Sequence, residues 1–344
     1  MRSRPSDSEG GMTESCKFEL VGYKYTFHVI RYTLSMFDTH CHLNFSAFEE
    51  ILEKVITEAK KNGVEKIVVP GTDIQTSKKA VAIAQKYEGI YAAVGIHPHH
   101  VKNYQNKMPK QVRHDKSPFK HKQLTSCHPE LGSGSLFNND LKILQKLLTH
   151  PNVITIGEIG LDRHIYQKTR YENYQIDEEF ITLQKGVFLA QLKLAKKYKK
   201  AVIIHNRKAK DDLLNILTSN SQLVTSNRIV FHCCEPDLEL LNFAKKHHIY
   251  IGVDGDVTYD QKKQEFVKKI PFSLLVLETD SPFLMPKIQH LRGETKTVFN
   301  KDSLYINTPK NLPLIAQKVA EIKGENVEKI MEVTKENGER LFKI

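Results

Sequence analysis

A series of short apolar runs in this chain ends on residues that bind metals. Phe37-Asp38-Thr39-His40-Cys41-His42 spaces two histidines by two. On a strand that spacing puts both imidazoles on one face, with Asp38 beside them and Cys41 on the opposite face. Gly95-Ile96-His97-Pro98-His99 follows another apolar run, and Ile156-Gly157-Glu158-Ile159-Gly160-Leu161-Asp162 sets a glutamate between two glycines. Asp162 itself reads as a helix N-cap rather than a ligand. Val202-Ile203-Ile204-His205 and Ile229-Val230-Phe231-His232 each finish on one histidine, and Leu277-Glu278-Thr279-Asp280-Ser281-Pro282 adds two carboxylates. Taken singly, each histidine has an ordinary reading as a buried or surface imidazole. Repeated at the ends of successive strands, they reinforce one another. His40, His42, His205 and His232 with Glu158 and Asp280 make a nitrogen-and-oxygen donor set without thiolates, the inventory of a two-metal site. Asp38 is expected to orient a histidine from behind, and Glu278 to stand behind the ligands rather than join them.

These ends must be held by a scaffold. From Phe37 onward, short apolar runs alternate with amphipathic stretches. The predicted strands are 37–42, 64–70, 90–95, 152–158, 201–205, 228–232, 249–253 and 273–278. The predicted helices are 48–62, 76–87, 140–149, 177–198, 210–219, 236–247, 260–269, 312–323 and 325–341, with Pro236 opening its helix. Strict β/α alternation indicates a parallel α/β protein, and a (β/α)8 TIM barrel is the economical solution at 344 residues. An open doubly wound sheet would show a glycine-rich phosphate loop after its first strand, and the sequence has none. In a barrel, the carboxyl ends of the strands face one active site.

Two regions fall outside the alternation. Residues 1–35 read as an N-terminal extension, disordered or forming an extra strand, ahead of a hydrolase domain at 36–344. Residues 101–139 are rich in Lys, His, Asn, Gln, Ser and Gly and read as a mobile low-complexity insertion after the third strand. Its His114, His121 and His128 read as compositional rather than metal-binding. Lys+Arg 51 against Asp+Glu 40 gives +11 at pH 7, which suits a polyanion such as nucleic acid and equally suits lysine-rich helix surfaces. Five cysteines without a CxxC exclude a disulfide framework or zinc knuckle, and a reducing compartment, cytoplasmic or nuclear, is the default. The partly apolar stretch 18–36 carries Glu19, Lys24, His28 and Arg31; secretion stays open. No apolar run is long enough to span a bilayer. A monomer without an obligate protein partner is the default.

The ordered set Phe-Asp-Thr-His-Cys-His-Leu (37–43), Gly-Ile-His-Pro-His (95–99), Gly-Glu-Ile-Gly-Leu-Asp (157–162), Ile-His-Asn-Arg (204–207), Val-Phe-His-Cys (230–233) and Leu-Glu-Thr-Asp-Ser-Pro-Phe-Leu (277–284) resembles the TatD family. These are metal-dependent deoxyribonucleases of the amidohydrolase-like TIM-barrel superfamily. The resemblance runs from about Phe37 to the C-terminus, interrupted at 101–139. It implies one or two divalent ions, Mg2+ for activity with Zn2+ or Mn2+ as alternatives. By motif match, His40, His42 and Asp280 hold one ion, His205 and His232 the other, and Glu158 bridges them. A glutamate at that bridge, rather than a carboxylated lysine, argues against a phosphotriesterase or dihydroorotase. The family's Arg-Asn-Glu-Pro signature has Ile306-Asn307-Thr308-Pro309 as its nearest counterpart, after extra residues at 293–305. His-Cys-Phe-Ser-Gly becomes His232-Cys233-Cys234-Glu235-Pro236.

The expected reaction is hydrolysis of DNA phosphodiesters by metal-activated water, with 3′→5′ exonuclease action on single strands or frayed ends implied by the resemblance. Metals in such sites stand about 3.5–4 Å apart. Asp280 and Glu158 are the expected catalytic carboxylates, and Asp280 takes the proton from the attacking water. His97 and Arg207 contact the phosphate or the leaving oxygen. Lys and Arg around the mouth hold the backbone, and Tyr166 and Phe283 stack an end base. Two other readings stay open: hydrolysis of another ester, such as an aminoacyl group on tRNA, and a non-catalytic DNA-binding protein.

Overall fold

The computed structural model describes residues 16–20, 23–27, 35–105, 135–225, 228–287 and 306–344. Strands β1 (Cys16–Leu20) and β2 (Tyr23–Phe27) pair antiparallel as a hairpin within the expected extension. The next strand, β3 (Met36–Asp38), begins the barrel. It is followed by α1 (Leu52–Lys61), β4 (Val64–Pro70), α2 (Ile74–Lys86), β5 (Ile90–Val94) and the short α3 (Lys102–Gln105). Then come α4 (Ser135–Leu147), β6 (Val153–Asp162), α5 (Glu178–Tyr198), β7 (Ala201–Arg207), α6 (Lys210–Ser219) and the short α7 (Ser221–Val224). The chain finishes with β8 (Ile229–Phe231), α8 (Leu238–His247), β9 (Tyr250–Val253), α9 (Gln261–Lys269), β10 (Leu275–Leu277), α10 (Leu312–Lys323) and α11 (Val327–Phe342). β3 through β10 form one parallel eight-stranded sheet in chain order, curled into a nearly closed barrel. No helix among the described residues is long and apolar enough to cross a membrane.

The expected barrel stands, and its element bounds need correction in places. α4 begins at Ser135, inside the stretch read as insertion, and α3 occupies its start. The rest of the insertion, with His114, His121 and His128, lies outside the described residues, as do residues 293–305. Pro236 does not open α8: Asp237 caps that helix, accepting from Glu239 N and Leu240 N, and Pro236 precedes the cap.

Parity explains the packing. Alternate strand residues (Phe37, Val68, Ala93, Ile203, Val230 and Val276) form a small inner cluster. Their neighbours Ile67, Val69, Val202, Ile204, Leu275 and Leu277 join the main core beneath the helices. Strands buried on both faces must be apolar on both, which is why they read as runs rather than alternations. Leu341 and Phe342 of α11 join the inner cluster, the Phe342 ring 5.7 Å from that of Phe37. The helix comes close there because position 338 is glycine; a Cβ would stand 2.6 Å from Phe37 Cδ1.

The seam between β3 and β10 carries no regular ladder, and side chains close it. Thr39 N and Oγ1 both donate to Leu277 O at 3.1 Å. Thr279 N and Oγ1 donate to Asp38 Oδ1 and Oδ2 at 3.0 and 2.6 Å, and His40 N donates to Oδ1 at 3.2 Å. Asp38 therefore touches no imidazole, contrary to expectation: it fixes the backbone of His40 and ties the first barrel strand to the last. Burial pushes its carboxyl up to about 7 despite these donors. Asp38→Ala would leave the two Thr279 donors buried without this partner, a loss of about 2–6 kcal/mol at roughly 1–3 kcal/mol per orphaned group. Urea unfolding checks this; Asp38→Asn, which keeps an acceptor, should lose less. Equal stability of all three forms would show that the seam does not depend on this carboxylate.

Candidate metal centre

β3 ends at Asp38, so His40 and His42 lie beyond the strand rather than on it. The chain stays extended enough for alternation to persist. Cys41 N donates to Val68 O on one side and His42 N to Ser281 O on the other. Cys41 is buried in the main core, and the two imidazoles converge, Nε2 to Nε2 at 3.2 Å.

Glu158 reaches the same point by a different device. The β6–β7 register shifts between Ile156 and Ile159. Such a bulge re-aims a side chain, here that of Glu158 into the barrel mouth. Pairing resumes as Ile159 opposite Ile204, and at the next pair, Gly160 opposite His205, Gly160 takes φ 149° and a Cβ would lie 1.9 Å from His205 O. The Glu158 carboxylate then stands within reach of five histidines. His205 Nδ1 is 2.8 Å away, His40 Nε2 3.5 Å, His97 Nε2 3.6 Å, His232 Nε2 3.7 Å and His42 Nε2 3.8 Å. Burial favours the neutral acid, but His97 and His232, with bonds from His205 and His40, hold Glu158 well below the usual carboxylate range. Asp280 Oδ1 completes the group, 3.4 Å from His42 Nε2, 3.6 Å from His40 Nε2 and 3.7 Å from His232 Nε2. Asn307 braces that turn, donating to Thr279 O at 2.9 Å; this is the asparagine expected from 306–309.

Two further carboxylates stand behind two of the histidines. Glu278 Oε1 is 3.0 Å from His232 Nδ1 and accepts from Cys233 N at 2.6 Å. It fits beneath the ring because position 252 is glycine; a Cβ there would fall 2.3 Å from Glu278 Oε1. Asp162 Oδ2 is 3.0 Å from His205 Nε2 and accepts from Tyr166 OH at 2.7 Å. No helix starts at Asp162; α5 begins at Glu178, capped by Asp177, so the expected N-cap role is wrong. Burial opposes a charge on His205 and on His232. The carboxylates outweigh it and raise the first to about 9 and the second to about 10. Burial likewise favours neutral Asp162, but His205 holds it down at about 2.

These donors fit a divalent cation. Imidazole nitrogens and carboxylate oxygens converge, and among the described residues the converging groups include no cysteine. His40, His42 and Glu158 each offer one atom within a mutual 4.8 Å, as do His40, His232 and Glu278, and His97, Asp162 and His205.

His97, the cap of a short turn at Pro98–Val101, points its ring inward rather than packing as a loop residue. Its Nδ1 accepts from His99 N at 3.1 Å, and burial, with His205 nearby, holds its pKa well below the ordinary value. Arg207, at the exposed end of β7, lies 5.5 Å over the Tyr166 ring. Tyr166 is thereby covered, with His99 against its other contacts at 4.7 Å, whereas Phe283 stays 51% exposed and open to a stacking partner. A cavity of ≈ 570 Å³ joins the cluster to these residues. Among the described residues the basic excess is not concentrated there. Lys60, Lys61, Lys196, Lys197, Lys245 and Lys246 occupy last helical turns. In a barrel those turns lie at the end away from the mouth, where cations complement the helix dipoles. Arg207 and Lys263 are the Lys and Arg side chains lining the cavity.

A parallel eight-stranded barrel whose strand ends gather histidines and carboxylates around one point defines a metal-dependent hydrolase. Residues 37–343 match the model of the TatD related DNase family, and the chain belongs to that family. It is 32% identical over 311 residues to the uncharacterized metal-dependent hydrolase YabD of Bacillus subtilis, spanning 90% of this chain and 99% of that protein. It is 26% identical over 312 residues to the 3′-5′ ssDNA/RNA exonuclease TatD of Escherichia coli, again over 90% and 99%. Among solved structures, the TatD homolog YJJV from Escherichia coli superposes with a TM-score of 0.67 at 26% identity, covering 90% of this chain and 98% of that one.

Proposed function

We propose that this protein removes nucleotides from the 3′ ends of single-stranded or frayed DNA by hydrolysis of the phosphodiester. The observation that carries the reading is the Glu158 carboxylate shared among five buried or half-buried histidines. One buried carboxylate within reach of five imidazoles is placed where a residue that bridged two cations would be. His40, His42 and Asp280 would hold one ion and His205 and His232 the other. When bound, such ions lower the pKa of a water and neutralise charge on the phosphate. Mg2+ is the expected ion in use, with Mn2+ or Zn2+ also suited to these donors.

The chain's own residues supply the rest. Asp280 stands at the mouth of the cavity, where its carboxylate can take the proton of the attacking water. His97 is held neutral, and because its Nδ1 accepts from His99 N, its Nε2 carries the proton. That N–H can donate to a phosphate oxygen or to the leaving oxygen. Arg207, steadied on Tyr166, supplies a fork of donors to the same phosphate. The rim suits unpaired bases: Ile165, Tyr259, Phe283 and Met285 are exposed on loops after β6, β9 and β10, and exposed Leu238 opens α8 after β8. A duplex hides its base faces from such residues; a single strand presents them. The Escherichia coli relative, named a 3′-5′ ssDNA/RNA exonuclease, supports this reading.

End-labelled single- and double-stranded DNA incubated with EDTA, Mg2+, Mn2+ or Zn2+ tests it. Stepwise shortening from the 3′ end, faster on single strands and absent in EDTA, is the expected result. A folded, metal-loaded protein that leaves every strand intact would overturn the nuclease reading.

A further inference from the structure

Arg207 and Lys208 make the turn from β7 into α6, and the carboxylates around them are already taken. Asp212 lies 2.7 Å from Arg163 and 2.5 Å from Lys185, and Glu178 lies 2.7 Å from Arg163. Lys210 spans Asp237 at 3.4 Å and Glu239 at 2.8 Å. Asp162 is occupied by His205 and Tyr166. Both Arg207 and Lys208 are exposed, and among the described residues neither makes an ion pair. Arg207 lines the cavity that reaches the histidines, and Lys208 follows it in the chain. The two act together on the loop after β6: burial first, then Arg207 and Lys208, hold the His164 imidazole below its ordinary pKa.

The turn is fixed from both sides. Lys208 has φ 54°, in the left-handed region that a side chain enters at a cost. Such a conformation persists where its surroundings impose it. Here Glu235, from the loop after β8, does so. Lys208 N donates to both of its oxygens at 3.2 Å, and Asn206 Nδ2 donates to Oε2 at 3.4 Å. On the other side Arg207 Nη1 donates to Tyr166 OH at 3.4 Å, with the guanidinium 5.5 Å over that ring. Glu235 therefore spends its oxygens on the shape of the turn and leaves the Lys208 ammonium unpaired.

Two unpaired cations on a fixed turn beside the mouth suit an anion. The polyanion that the reaction brings is the strand itself. An enzyme that removes the 3′-terminal nucleotide keeps the rest of the strand on the 5′ side of the cut, so every other phosphate its surface meets lies on that side. Arg207, on the cavity wall, is placed for the scissile phosphate, and Lys208 is exposed next to it. We propose that the turn 206–208 is a phosphate shelf on which Lys208 holds the phosphate next to the scissile one on its 5′ side, with Glu235 as the residue that positions it. This rests on the exonuclease reading above. It gives the strand a route out of the mouth over the loops after β6 and β7, where exposed Lys168 likewise makes no ion pair among the described residues. A lysine on a phosphate reads no base, so the shelf serves any sequence.

The test uses two trinucleotides. Their 3′-side linkage is the natural phosphodiester; their 5′-side linkage is natural in one and a neutral methylphosphonate in the other. Removal of the 3′ nucleotide is timed with metal-loaded wild type, Lys208→Ala, Lys208→Arg and Glu235→Gln. Wild type should prefer the charged strand by on the order of fivefold in kcat/KM, the scale of one exposed ion pair. The preference should lie in KM, because a contact away from the reacting bond serves ground state and transition state alike. Lys208→Ala should treat the two strands alike, and Lys208→Arg should keep the preference. Glu235→Gln separates positioning from plain charge. Were Glu235 only a repelling charge, its loss would leave the preference intact or enlarge it; as the residue that fixes the turn, its loss should shrink the preference, because an amide cannot accept through both of its heads. Thermal melting confirms that the variants are folded; should Glu235→Gln unfold, the two Lys208 variants carry the test. Wild type indifferent to the methylphosphonate, or a Lys208→Ala protein that keeps the wild-type preference, would overturn the shelf while leaving the nuclease standing. If wild type cuts no strand, the nuclease reading falls. The salt dependence of oligothymidylate binding, read by anisotropy in EDTA, then decides the shelf alone. A slope of log K on log salt lower by about 0.7 in Lys208→Ala, the share of one phosphate on a single strand, supports it, and an unchanged slope removes it.

Discussion

Glu158→Gln should abolish nearly all turnover while leaving the barrel folded. The substitution keeps the shape of the side chain and removes its charge. That charge is what five imidazoles share, at distances from 2.8 to 3.8 Å. Without it, His40, His42 and His232 would still face the cavity, but two cations would have to sit together with one carboxylate, Asp280, near three of the ring nitrogens. Each bound ion would repel the other with nothing between them. Losing one fixed electrostatic stabiliser of a transition state costs on the order of 10²–10³ in kcat, and losing the group that holds the ions themselves should reach at least the upper figure, about 4 kcal/mol. Elemental analysis of dialysed protein should show fewer ions per chain than wild type. Melting in EDTA should remain cooperative but fall somewhat, because the amide keeps the carboxylate's volume and loses its attraction to the histidines around it. A Glu158→Gln protein with full metal content and a kcat within tenfold of wild type would remove the bridge from the mechanism.

The sequence made the barrel legible because its strands are buried on both faces. Within Val64–Pro70 and Ala201–Arg207, residues 67–70 and 201–204 are apolar runs, and β/α alternation admits few other architectures. The convergence of His40, His42, His205 and His232 with Glu158 and Asp280 was legible for a related reason. Strand ends in a barrel meet at one place, so residue type at the end of each run was enough. What depended on contacts between strands was not legible. Asp38 sits at a period that suggests an orienting role towards a histidine. Its actual role, closing the seam against Thr279, needs the knowledge that the first and last strands adjoin there without a ladder. Glu158 enters the mouth through a bulge whose register no periodicity reports. Among the described residues the lysines were visible as a count rather than as a location, because helix last turns attract cations for reasons internal to the fold.

Asp162 shows the same limit and leads to the second large effect. A carboxylate after a strand suggested a helix cap, yet β6 runs on to Asp162, whose strand partner is Arg207 and whose side chain meets His205 Nε2 at 3.0 Å. A histidine with a carboxylate on one nitrogen is fixed in the tautomer that leaves the other nitrogen free as a donor to a cation. For His205 the nitrogen so freed is Nδ1, the one that faces Glu158. For His232 the arrangement is reversed: Glu278 holds Nδ1, and Nε2 points at Glu158 and Asp280. The two carboxylates thus set opposite tautomers on neighbouring histidines so that both free nitrogens aim at the same bridge. Asp162→Asn and Glu278→Gln keep size and polarity but can donate as well as accept, so they no longer enforce one tautomer. Each should lower activity or metal affinity by roughly 10- to 100-fold. A positioning role separates from a merely structural one in the metal titration. Saturating Mn2+ should restore much of the lost rate in both variants, with the midpoint of activation moved to higher metal concentration, whereas a collapsed site would not be rescued. The combined variant should fall further than either alone, because the two act on different histidines. Unchanged activation midpoints in both single variants would show that these histidines need no carboxylate behind them, and the ligand assignment of His205 through Nδ1 would lose its basis.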